Sequence, residues 1–181
     1  MITSLIPNSI TSIIVVTGPV GVGKTSVAIA MADLLDEQDL AHAVIDMDWL
    51  RYCAPRPADD RFHERLGYAN LAAVWANYRA AGANRLILVD VVETHATIEA
   101  YQQAIPNAAI QVIQLNAPLA TIQQRLEQRE TGATLAWHQQ RAAELLDHWQ
   151  RNPIQAQIVE TADLTPHEIA QKMLVQQGWI Y

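Results

Sequence analysis

Short apolar runs and longer helix-forming stretches alternate along this chain, the pattern expected of strands and helices taken in turn. Ile13-Ile14-Val15-Val16-Thr17 is β-branched and unbroken, as a strand buried on both faces should be. Ala43-Val44-Ile45 ending at Asp46, Leu86-Ile87-Leu88-Val89 ending at Asp90, the alternating Ile110 to Leu115, and Ile158-Val159 predict four more strands. Helices are predicted over 26–35, 62–81, a stretch from Thr94 to just before Pro106, a stretch from Pro118 to about Glu130, and 135–150. Gly82 reads as a helix stop, and Thr165-Pro166-His167-Glu168 combines a cap, a first-turn proline and a capping-box glutamate. This order predicts an α/β fold with a parallel sheet of about five strands. No repeat, low-complexity tract or linker interrupts it. A single domain over 1–181 is therefore expected, with 1–12 as a loose N-terminus.

Between the first strand and the first helix lies Gly18-Pro19-Val20-Gly21-Val22-Gly23-Lys24-Thr25, a full match to the phosphate-binding loop pattern G-x-x-x-x-G-K-[ST]. Strand, glycine loop and helix together aim backbone N–H groups and a helix N-terminus at one point, where phosphate oxygens bind. Residues Gly18 through Ser26 are the expected nucleotide-binding segment. The Lys24 ammonium can reach the β- and γ-phosphates, and the Thr25 hydroxyl can hold Mg²⁺.

Composition narrows the partners. Half of the 181 residues are hydrophobic and 17% are charged, a globular balance, and the net charge of −7 speaks against nucleic acid as the main partner. A single cysteine, Cys53, leaves no intrachain disulfide, and no run is long enough for a membrane span. The start of the chain has neither the basic residues nor the cleavage site of a signal peptide. A cytoplasmic protein with no membrane partner is expected; the oligomeric state is not legible.

Three further segments carry candidate chemistry. Asp46 and Asp48 follow the second strand, on the side of the sheet where ligands bind. On an extended segment they point apart; if the chain turns, one can help organise Mg²⁺ while the other receives an acceptor's hydroxyl proton. Trp49 beside them offers an aromatic face to a ring or sugar, although core packing would explain it equally well. Leu86 to Asp90 has the form of a Walker B strand, with Asp90 on the magnesium side. Val91 follows it, so the carboxylate pair of motor ATPases is missing, and Glu93 comes three positions late. Arg125 and Arg129 sit four apart on one predicted helix, so both project from the same face.

The run Asp46-Met47-Asp48-Trp49-Leu50-Arg51 resembles the segment after the second strand of adenylylsulfate kinases, and its D-x-D part resembles shikimate and gluconate kinases. The resemblance to these P-loop small-molecule kinases implies a three-layer α/β/α P-loop NTPase fold with a helical lid over about 130–150. It makes Asp48 the candidate base, Asp46 a magnesium-side partner and Arg51 an acceptor-binding cation. It also implies that the helix ending in R-x-x-x-R leads into the lid, with Arg125 and Arg129 clamping phosphates and Arg141 as a weaker candidate. Thr161-Ala162-Asp163 would form part of the adenine pocket. The guanine-reading N-K-x-D is absent, so ATP is the expected nucleotide, and its polyphosphate chemistry implies Mg²⁺ as the second cofactor. The reading is an ATP-dependent kinase for a small hydroxyl- or phosphate-bearing metabolite. Two alternatives stand beside it: an ATP-hydrolysing switch or assembly protein, and a nucleotide-binding module without catalysis.

Overall fold

Five strands lie parallel in the order β2-β3-β1-β4-β5. They are β1 (Thr11–Thr17), β2 (Ala43–Asp46), β3 (Arg85–Val89), β4 (Ala108–Asn116) and β5 (Gln157–Glu160). The computed structural model describes residues 10–181. The expected N-terminal tail falls mostly on residues 1–9, which lie outside the described residues; Thr11 and Ser12 already belong to β1. β1 is central because it is apolar on both faces. Its Ile14 pairs in register with Ile87 of β3 and Gln111 of β4.

Alternate β1 side chains enter two different cores. Ile14 and Val16 pack with α1 (Lys24–Asp36), α5 (Leu119–Arg129) and α7 (Pro166–Gln176). Ile13 and Val15 pack with α3 (Glu64–Ala80) and α4 (His95–Ala104), through Leu71, Trp75 and Tyr101. The two-residue period of the strand thus builds three layers, α/β/α. The remaining helices are the short α2 (Met47–Leu50) and the long α6 (Gly132–Arg151). No helix among the described residues is long and apolar enough to cross a membrane.

Sequence expectations locate every strand, and all helices except α2, to within a few residues. The α2 turn was hidden because four residues carry no periodicity. The connections leaving β1 and β3 run in opposite directions across the sheet, opening a crevice at the strands' carboxyl ends. Gly18, Asp46, Asp90, Asn116 and Thr161 all sit at that edge, each at or just after the end of a strand.

At the far end of the chain, the Thr165 hydroxyl accepts from the Glu168 backbone N–H while the Glu168 carboxylate accepts from the Thr165 backbone, a complete capping box on α7. Thr165→Ala is expected to cost about 1 kcal/mol. A lower urea midpoint with an unchanged m-value is the signature to look for.

Candidate active site

The loop after β1 is held open by sterics. A Cβ on Gly18 would lie 2.5 Å from the Leu115 carbonyl oxygen, and one on Gly21 would lie 2.8 Å from Leu126 Cγ. Both residues also have positive φ, +144° and +84°. Gly23 precedes α1 with no side chain capping the helix and no acidic residue in its first turn. The orphan N–H groups there are free for an anion. Lys24 Nζ folds back onto the loop, donating to the carbonyls of Gly18 at 2.9 Å and Pro19 at 3.2 Å. Burial lowers the Lys24 pKa to about 8, against the opposing pull of Asp48, Asp90 and Asp46.

Three carboxylates face this loop in very different states. Asp46 caps α2: its Oδ1 accepts from the Asp48 backbone N–H at 3.0 Å, and its Oδ2 accepts from the Thr25 hydroxyl at 3.4 Å. This cap turns the chain, so Asp46 and Asp48 line one cleft despite their spacing of two. Burial raises the Asp46 pKa, with the Asp48 charge adding to it and the backbone bond opposing it. Among the described residues, Asp48 has no lysine or arginine within ion-pair distance.

Asp90 is closed off. Its Oδ1 accepts from Arg51 Nη1 at 2.7 Å and from the Val91 N–H at 2.7 Å, and its Oδ2 accepts from Arg51 Nη2 at 2.6 Å and from the Tyr101 hydroxyl. A carboxylate offers about four lone-pair sites, so all are engaged. Burial works against the charge on Arg51, but Asp90 outweighs it and raises the pKa. Burial, followed by the Asp90 charge, raises that of Tyr101 well above its usual value. Gly67 on α3 makes room for this, since a Cβ there would meet Arg51 Cγ at 2.7 Å.

The R-x-x-x-R pair divides. Arg125 reaches the Val22 carbonyl at 3.0 Å and the Thr161 carbonyl at 3.1 Å, joining the phosphate loop to the turn after β5. It does not line the cleft, whereas Arg129 does. Arg129 donates to Glu130 from Nε at 2.9 Å and Nη2 at 2.5 Å, and His138 on α6 donates to the other oxygen of Glu130. Arg141 pairs with Glu93, so both reach the cleft.

The cleft has a volume of about 420 Å³. From the loop, Val20, Gly21, Gly23, Lys24, Thr25 and Ser26 line it, while Gly18, Pro19 and Val22 are buried in the fold. Trp49 is 75% exposed against Tyr52, with ring centroids 5.8 Å apart, and stands outside the lining. Tyr52 takes that place, with Arg56, Phe62, Glu64 and Trp137. Sequence reasoning missed these five and Tyr101. Only Tyr52 and Arg56, just past the D-x-D run, carried a positional signal.

No family model matches the chain. No curated protein matches it. Solved structures do. The tunicamycin resistance protein of Deinococcus radiodurans is 20% identical with a TM-score of 0.66, covering 93% of this chain and 96% of that one. A gluconokinase from Sinorhizobium meliloti 1021 is 20% identical with a TM-score of 0.61, covering 93% and 92%. The Mycobacterium tuberculosis APS kinase, solved with AMPPNP and APS, is 16% identical with a TM-score of 0.60, covering 93% and 98%. The fold is that of the P-loop small-molecule kinases. At these identities the likeness concerns the fold, and the residues must carry the chemistry.

Removing one partner of the buried cluster leaves a charge or a polar group uncompensated. Asp90→Ala is expected to destabilise the protein by about 3–5 kcal/mol. Tyr101→Phe should cost about 1–3 kcal/mol. Chemical denaturation of both variants measures the two losses, and equal, near-zero values would show the cluster to be energetically idle.

Proposed function

We propose that the chain is an ATP-dependent phosphotransferase that moves the γ-phosphoryl group of ATP to the hydroxyl of a small molecule. The observation that carries this reading is Asp48, a carboxylate with no lysine or arginine within ion-pair distance among the described residues, in the same cleft as an uncapped helix N-terminus and Lys24. An ATP hydrolase needs only to position water. An open carboxylate beside an aromatic-lined hollow suits a hydroxyl acceptor better.

Roles follow from the arrangement. The loop N–H groups and Lys24 bind the polyphosphate and stabilise charge on the transferring group. Thr25 and Asp46, two hard oxygen donors side by side, fit Mg²⁺ and would hold it. No group of three or more histidine, cysteine or carboxylate side chains forms a metal cage among the described residues. The ion supplies neutralisation of phosphate charge. We assign Asp90 to holding Arg51, and through it α2, because its lone pairs are already engaged. Arg51 thereby becomes part of the wall of the acceptor site, with both terminal nitrogens tied to Asp90.

Asp48 orients the acceptor hydroxyl and takes its proton as the bond to phosphorus forms. Arg129 is the cation free to swing toward the phosphates, exchanging Glu130 for a phosphate oxygen, with α6 as the lid that brings Trp137 and His138 over the cleft. Arg125 holds the Thr161 turn, where adenine would sit. A lone exposed thiol, Cys53, suits a reducing cytoplasm.

Asp48→Asn is expected to leave MgATP affinity within about twofold and to reduce turnover by about 10²–10⁴. Calorimetry with ATP and steady-state ADP release separate the two effects, and retained turnover would remove Asp48 from the mechanism. A second outcome concerns pH. In the free protein Lys24 loses its proton above about 8, and neutral amine no longer attracts phosphate. The ratio kcat/KM for MgATP should therefore fall as pH rises through that value. The kcat plateau should reach further, because bound polyphosphate favours the ammonium form. Profiles of both parameters between neutral and strongly alkaline pH are the check.

A further inference from the structure

We propose that the acceptor is an uncharged hydroxyl compound with an aromatic or other apolar face, of the kind of a nucleoside or an aryl glycoside, and not a carboxylate- or phosphate-bearing anion. This rests on the phosphotransferase reading and specifies its substrate class.

The charge pattern of the cleft carries the inference. An anionic acceptor needs guanidinium or ammonium groups left open for it, because a carboxylate taken out of water must be paired. Here the arginines at the acceptor end are already paired internally: Arg51 bidentately with Asp90, and Arg141 with Glu93 and, at 3.8 Å, Glu144. Extracting Arg51 would strand a side chain, Asp90, that is 1% exposed. The carboxylates tell the opposite story. Asp48 and Glu64 line the cleft with no lysine or arginine within ion-pair distance among the described residues. Arg56 is the one cleft arginine without a partner among the described residues, exposed like Asp48 and Glu64, and it stands alone against those two carboxylates. Arg61 stacks over the Phe62 ring, 5.5 Å from its centroid, and does not line the cleft. The surplus is of acceptor groups for hydrogen bonds, suited to donating hydroxyls and unsuited to anions.

The walls add the second half. Tyr52, Phe62 and Trp137 are 77%, 41% and 43% exposed, and all three line this one cleft. Large aromatics left this open at the end of a concave site mark the place where a ligand completes their burial. Carboxylates open to hydroxyls and flat apolar surfaces lining one cleft describe a molecule with a polyol part and a ring.

The test compares two panels at equal concentration with MgATP, reading ADP release. One panel holds gluconate, shikimate and glucose 6-phosphate; the other holds uridine, inosine and phenyl β-glucoside. The best uncharged compound is expected to exceed the best anion in kcat/KM by about tenfold or more, since like charges facing each other are strongly disfavoured. Glu64→Gln should narrow that gap while preserving the ranking. An anion that ranks first overturns the assigned class and leaves the phosphotransferase reading standing. Stimulation by neither panel, with ATP binding intact by calorimetry, counts against the phosphotransferase reading itself, and the assigned class falls with it.

Discussion

A carboxylate at the end of a central buried strand must be neutralised, and the way Asp90 is neutralised organises this whole face of the molecule. Arg51 comes from the end of α2, Tyr101 from α4 and the Val91 N–H from the strand's own exit. Gly67 thins α3 so that the Arg51 side chain can pass. The pair therefore pins α2 between the sheet and α3. Because α2 begins at the Asp46 cap, the positions of Asp46 and Asp48 are inherited from this cluster. Its net contribution to stability is modest, since desolvation offsets much of the attraction. Its geometric effect is large, because any one partner lost leaves the others stranded.

This cluster also sorts the carboxylates of the site by availability. Asp90 has no lone pair to spare, Asp46 shares one oxygen with Thr25 and the other with the chain, and Asp48 is open. Three aspartates that line one cleft with the loop are thus unequal in chemistry. Lys24 feels all three charges, yet burial still lowers its pKa. That leaves the ammonium in need of an anion, which the polyphosphate of a nucleotide supplies.

The fold was legible where a periodic or β-branched pattern was long enough to read. Ile13 to Val16 and Leu86 to Val89 announced the centre of the sheet, and the glycine loop between strand and helix announced the anion site. The D-x-D segment was legible as a place but not as a geometry, because the cap that bends it depends on one hydrogen bond to Asp48. Long-range pairing was not legible at all. Arg51 and Asp90 stand 39 residues apart, and Arg125 and Thr161 stand 36 apart. Nothing in the neighbouring sequence shows that either arginine is tied up inside the fold. The same limit applies to Trp49, which the sequence set beside the aspartates and the helix turns away toward Tyr52.

The most direct test of this division of labour among the aspartates is anomalous diffraction from crystals grown with Mn²⁺ and a non-hydrolysable ATP analogue. The manganese peak should lie beside Thr25 and Asp46, with Asp90 still clasped by Arg51 and Tyr101. A peak bonded directly to Asp90, with Arg51 released into the cleft, would contradict the structural role given to Asp90 and reopen Arg51 as a binder of anionic acceptors.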